Sequence, residues 1–313
     1  MLSRRHLRTR VMQALYAWHH SQDKSASDAT TEMVNGIERT YDLYLTQILL
    51  FPELAHQEEK YLTDAPERHI TKATTVLHPL NENFVVKAIV SNDLLEKLRT
   101  DRGISWQNDV DVLEKLFFTV RKSDAYQTYN SREKTDESAD TEFITDLYKN
   151  VILSSDVYLN SLEEKNIWWA DALEFINSMV LKTLKQTHPS RSGTLNILPQ
   201  MRELEEDKEF LSNLFNITIK NDPDYSAMIG ERTKNWDVDR IAQLDIILLK
   251  MALCEILNFD NIPVKVSINE YLDLSKEFST PKSKVFINGV LDSIVQDLKK
   301  SGTIQKTGRG LLE

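Results

Sequence analysis

The segment IAQLDIILLKMALCEIL, residues 241–257, is apolar on nearly every side when wound as a helix. Such a helix has no face to give to water, so other helices must surround it. That commits the chain to a bundle with this segment at its centre. Little elsewhere resists a helical reading, since 313 residues hold only 8 Gly and 8 Pro. Met33, Ile37, Tyr41, Tyr44 and Ile48 recur three or four apart, as one helical stripe would. The expectation is an all-α protein of packed helical bundles.

Periodicity predicts further helices over 84–99, 110–122, 142–154 and 167–186, and again from Pro199 onward. Phe51-Pro52 should end or kink a helix. The polar stretches 63–83 and 130–141 read as loops, and HPSRSGT (188–194) as a break. Ser267 with Glu270 has the spacing of a capping box, and Thr280-Pro281 places a cap before a proline. These predict helix starts at 267 and 281. The tail KKSGTIQKTGRGLLE is expected to be mobile. A shift of 67 residues pairs Phe143 with Phe210, Leu147 with Leu214, Ile152 with Ile219, Tyr158 with Tyr225 and Trp169 with Trp236. Two readings stand: coincidence between amphipathic helix pairs, or a diverged duplication.

Charge is unevenly distributed. The chain is acidic, with 48 Asp+Glu against 38 Lys+Arg and a net charge of −10, which disfavours nucleic-acid binding by the whole surface. Yet LSRRHLRTRVMQALYAWHHSQ, residues 2–22, carries Arg4, Arg5, Arg8 and Arg10 and no acid. As a helix, it puts Leu7, Val11, Ala14, Leu15 and Trp18 on a core face. Arg5, Arg8, Met12, Tyr16 and His19 share the adjacent face, where arginine can bond phosphate bidentately and stack on bases. The bland alternative is a solvated face on a core helix, and a basic start without acids also suits a transit peptide.

Enzyme signatures are missing. The sequence has no Gly-rich phosphate loop, no H-E-x-x-H and no G-x-S-x-G, and its 7 His lack metal-ligand spacing. The one cysteine, Cys254, lies in the apolar segment and reads as an inert core residue. No metal or cofactor is expected. A single cysteine and the lack of a long apolar run suit a reducing, cytoplasmic compartment.

Two separated pieces resemble the NusB family of bacterial transcription antitermination factors. One is RRHLRTRVMQALYAW. The other runs from NWDVDRIAQLDIILLKMALCEIL through IPVKVSINE to FINGVLDSIV. The likeness covers about 1–22 and 205–298. It implies an all-α, NusB-like core of two packed small bundles from 1–22 with 203–313. Residues 23–202 would then be an inserted helical region, possible home of the internal repeat. It also implies binding of boxA-type RNA together with ribosomal protein NusE, in an antitermination complex with RNA polymerase that supports ribosomal RNA transcription. By resemblance, Arg4, Arg5, Arg8 and Arg10 match the RNA-binding arginines. Phe286 and Asn288 match the residues before Gly-Val-Leu-Asp, and Lys284, with Lys282 beside it, can add phosphate contacts. Phe286 lies at the edge of an apolar face, where a ring can stack on an unpaired base or simply pack. Tyr16, Asp239 and Asp245 are the implied NusE contacts. Asp245 reads either as an exposed edge or as half of a buried pair with Lys250 or an arginine. The alternative function is a helical scaffold of the same fold that has lost RNA binding.

Overall fold

The computed structural model describes residues 1–21, 25–64, 77–201, 203–233 and 241–311. Among them there is no β-strand; extended pairing is limited to a parallel bridge between Leu2 and Met201. In chain order the helices begin with α1 (Arg4–His20), α2 (Ala26–Ile48), α3 (Leu50–Asp64), α4 (Phe84–Val90) and α5 (Asp93–Arg102). Next come α6 (Val110–Lys122), α7 (Asp124–Asn130), α8 (Glu137–Asp146), α9 (Asp156–Lys165), α10 (Ile167–Ala170) and α11 (Leu173–Gln186). The last are α12 (Leu204–Lys220), α13 (Asp222–Arg232), α14 (Gln243–Asn258), α15 (Val264–Phe278) and α16 (Ser283–Lys300). No described helix is long and apolar enough to cross a membrane. Two compact units divide the chain. One takes Leu2–Gly36 with Gln200–Glu313, and the other takes Met1 with Ile37–Pro199.

In the first unit α14 is the central helix, as its composition requires, and α1, α12, α13, α15 and α16 pack on it or on one another. Every residue from Ile247 to Ile256 is buried. Three polar residues interrupt its apolar surface, Asp245, Lys250 and Glu255, each buried. They stand five residues apart. At about 100° per residue each step turns about 140°, so the three point to different sides of the helix. Each finds a partner on a different neighbour. Asp245 accepts from Ser279 (2.6 Å) and Ser283 (2.7 Å), Lys250 donates to Asp222 (2.5 Å), and Glu255 binds Arg8 of α1. The polar groups that look like flaws in an apolar helix are its docking points.

Several predicted boundaries move, for local reasons. The helix expected at 84–99 breaks at Ser91-Asn92. Asn92 there caps α5, accepting from Leu95 N–H at 2.9 Å. The expected loop 130–141 turns helical at Glu137, because Asp136 caps it by accepting from Ala139 N–H at 2.8 Å. Ser267 does not start α15. The helix begins at Val264 after Pro263, and Ser267, one turn inside and buried, donates to Glu255 at 2.7 Å. The start expected at Pro281 falls at Ser283. The tail is anchored through Thr307, where Lys306 donates to Phe259 O at 2.9 Å and Thr307 N–H donates to Asp260 O at 3.0 Å.

In the second unit a core of Tyr44, Phe51, Trp106, Phe117, Tyr148 and Tyr158 is almost fully buried. Trp106 Nε1 donates to Thr46 O at 3.1 Å, and the hydroxyls of Tyr148 and Tyr158 both reach Gln47 Oε1. The 67-residue shift carries Glu137 onto Leu204, the first residues of α8 and α12. Buried pairs at that shift include Ile144 with Leu211, Tyr148 with Phe215, Tyr158 with Tyr225 and Asp140 with Asp207. Trp236 lies outside the described residues.

Asn83 is the polar keystone of this second core. It caps α4 through Val85 N–H (2.9 Å) and donates to Tyr129 Oη (3.2 Å) and Asp140 O (3.3 Å). Asn83→Ala should lower stability by about 2 kcal/mol, seen as an earlier urea midpoint. An unchanged midpoint would refute this account of the cap.

Candidate functional site

Helix α1 lies in the first unit, where Leu7, Val11, Met12 and Leu15 are buried and Trp18 meets Phe215 edge-on at 6.3 Å. Its start is fixed by Ser3, whose N–H donates to His6 Nδ1 at 3.2 Å. Burial, then the charges of Arg10 and Arg5, lower the His6 pKa, which keeps that nitrogen an acceptor.

The four arginines have different fates. Arg8, expected on the open face, is corrected to a core residue. It is 3% exposed, and its Nε and Nη2 each reach Glu255 at 2.8 Å. Glu255 also accepts from Ser267 and from Tyr271 Oη at 3.0 Å, so the buried carboxylate is fully partnered. Burial alone would lower the Arg8 pKa; the bonds and charge of Glu255 outweigh it and raise the pKa above its ordinary value. The reason is geometric. The middle of that face, at Arg8 and Met12, is covered by neighbouring helices, and the surface opens only at its two ends, at Arg5 and at Tyr16 and His19.

Arg5 stays at the surface, held by Glu270 (3.1 Å) and Asp273 (2.8 Å) of α15. Arg4 is half-buried, pairs with Asp207 at 3.4 Å, and lies over the Phe210 ring at 5.0 Å. Arg10 is half-buried and donates to Gln13 at 3.0 Å. The stretch that is purely basic in sequence is therefore faced by Glu206, Asp207, Glu255, Glu270 and Asp273 in space.

The candidates on α16 gather elsewhere. Asp245 and Glu255 are ten residues apart, about 15 Å along α14. Arg8 sits at the Glu255 end, and Ser283, at the start of α16, sits at the Asp245 end. Lys282 and Lys284 are exposed, and Asn288 is half-buried and donates to Asp292 at 2.9 Å. Phe286, read as a stacking ring or packing, is 8% exposed, so it packs. Asp245 is buried rather than an exposed edge, and among the described residues it pairs with neither Lys250 nor an arginine. Its two serine partners make it an anchor for the start of α16. Tyr16 is 42% exposed, with its ring 4.6 Å from that of His20. Asp239 lies outside the described residues. The helix α15 and the residue that ends it link the two ends, since Ser267 within the helix bonds Glu255 and Ser279 just after it bonds Asp245. Sequence reasoning missed Glu255, Ser267 and Tyr271, although a lone Glu in an apolar helix is itself the signal of a buried partner.

Among the described residues no group of three His, Cys, Asp or Glu could hold a metal ion. Burial pushes the Cys254 thiol up to about 12. Cys254 should resist alkylation at pH 8 until the protein is unfolded; stoichiometric labelling of native protein would contradict its placement. Arg8→Ala should cost about 3–5 kcal/mol, because it strands the Glu255 charge. Arg5→Ala, at the surface, should cost under about 1 kcal/mol. Equal losses in denaturant unfolding would contradict this division.

Comparison with known proteins gives the same direction. The NusB family model matches residues 172–296; it takes in α11, ahead of residue 203, and leaves out α1. The transcription antitermination protein NusB of Salinibacter ruber is 40% identical over 139 residues, which cover 42% of this chain and 86% of that protein. The protein of the same name from Natranaerobius thermophilus is 35% identical over 36% of this chain and 84% of its own length. That of Chloroherpeton thalassium is 39% identical over 34% of this chain and 50% of its own length. No solved structure matches. NusB family proteins are non-enzymatic transcription antitermination factors. With 40% identity across most of the S. ruber protein and an all-α fold around its central helix, this chain belongs to the NusB family.

Proposed function

We propose that this chain is an RNA-binding transcription antitermination factor. It joins boxA-type leader RNA and ribosomal protein NusE in a complex with RNA polymerase, in the cytoplasm, and supports ribosomal RNA transcription. The observation that carries the reading is the similarity to the S. ruber antitermination protein over 86% of that protein's length. The core for RNA and partner is assigned to residues 1–22 with 203–313. Residues 23–202 are read as an inserted helical region, and the pairing of Phe143 with Phe210 at a shift of 67 makes it the place of the candidate internal repeat.

Chemistry at the surface supports the assignment. Arg5, Arg4 and Arg10 remain at least partly accessible, and Arg5 can exchange carboxylates for phosphate, which its planar fork fits equally well. An extended strand along α15 would meet Arg5 near Asp273, then exposed Lys276, then Lys282 and Lys284 with Asn288 at the start of α16. Tyr16 offers an exposed ring for NusE beside His20. Arg8 acts through Glu255 by holding α1 in place.

One observation favours the second reading, a scaffold of the same fold that has lost RNA binding. The carboxylates of Glu206, Asp207, Glu270 and Asp273 already neutralise Arg4 and Arg5. The variant Arg4→Ala/Arg5→Ala/Arg10→Ala, with Arg8 kept, separates the two. Affinity for boxA-type RNA should fall about tenfold or more at ~0.1 M salt, and the slope of log K against log salt should flatten by about 0.7 for each phosphate no longer neutralised. Unchanged affinity, with and without NusE, would favour the scaffold.

A further inference from the structure

A depression of about 440 Å³ opens beside the start of α1, within the unit formed by residues 2–36 and 200–313. Arg4, Phe210 and Phe259 line it together with Glu209, Asp260 and Asn261. The Arg4 guanidinium lies over Phe210 at 5.0 Å, and Phe259 stands edge-on to Phe210 with centroids 5.2 Å apart. Phe210 itself is buried, with Arg8 also over its ring at 5.4 Å, so the surface left for a planar ring is the Arg4 guanidinium with half-buried Phe259 beside it. The rim is different. Glu209, Asp260 and nearby Glu206 are acceptors with negative charge, and Asn261 adds an amide.

These features restrict the occupant. Carboxylates on the rim repel a phosphate, so the occupant is not an anion. A flat surface with acceptors at its edge suits a planar, uncharged ring that carries N–H donors. Among unpaired bases, guanine presents two adjacent donors, N1–H and the 2-amino group, which one carboxylate can accept side by side. Uracil presents a single N–H between two carbonyls, and those oxygens would face the carboxylates. We propose that this depression is a subsite for a single unpaired guanine base, delivered by an RNA strand whose phosphates lie over Arg5. The inference rests on the RNA-binding reading above and adds a base preference to it.

The test uses the full chain and fluorescein-labelled oligouridine of about 12 nucleotides, a length suited to single-strand sites. One probe carries a central guanosine, one a central inosine, and one uridine throughout. Anisotropy at fixed salt should show the guanosine probe bound about tenfold tighter than oligouridine, with inosine, which lacks the 2-amino group, in between. The variant Glu209→Gln/Asp260→Asn should bring the three probes within about twofold of one another. Binding of plain oligouridine should not weaken, because removing negative charge favours RNA. A collapsed fold would instead weaken all three. Equal binding of the three probes by the native protein overturns the guanine subsite and leaves the RNA reading intact. Binding of none overturns both. A guanosine preference that survives in the variant also overturns the subsite.

Discussion

The bidentate ion pair between Arg8 and Glu255 joins positions 247 residues apart and fixes the first helix of the chain against the central one. Removing two charges from water is costly, and only good geometry with further donors offsets it. Here Ser267 and Tyr271 supply those donors, and both come from α15. The net gain in stability is small, but every misregistered packing of α1 would strand a buried charge. Lys250 with Asp222 and Asp245 with the two serines act alike on other sides of α14. The apolar surface of α14 drives burial, and its three polar points decide what packs where.

That arrangement changes what the arginine-rich stretch means. Four arginines without an acid look like a ready anion site, yet the fold brings five carboxylates to them. Arg8 is withdrawn into structure. Arg5 and Arg4 remain at least partly accessible but held, so under the proposed function an RNA phosphate would have to displace a carboxylate. A site of that kind would be more selective than a bare basic patch, with an affinity that depends more on geometry than on net charge. On a chain of net charge −10, the acidic remainder disfavours phosphate elsewhere.

Much of this was legible in the residues. The all-α class followed from the apolar 241–257 segment, and α14 is buried there. The core face of α1 was readable for Leu7, Val11 and Leu15, because helical period alone decides it. The placement of Arg8 was not, because it depends on Glu255, far away in sequence. Ser267 misled for a related reason: its spacing to Glu270 matches a capping box, but Pro263 starts the helix earlier and frees its hydroxyl for Glu255. Phe286 had two readings at the edge of an apolar stripe, and only the packing of α16 decides between them. Local rules set the elements; contacts distant in sequence set which charged groups remain outside.

The most direct measurement is NMR of the arginine Nε–H groups during titration with boxA-type RNA. Before RNA is added, the Arg8 Nε–H should exchange slowly with water, because Glu255 holds it in a buried site. As RNA is added, the Arg5 and Arg10 signals should shift while that of Arg8 stays in place. Fast exchange at Arg8, or an Arg8 signal that moves with the RNA as those of its neighbours do, would contradict the division between an anchoring arginine and the binding ones.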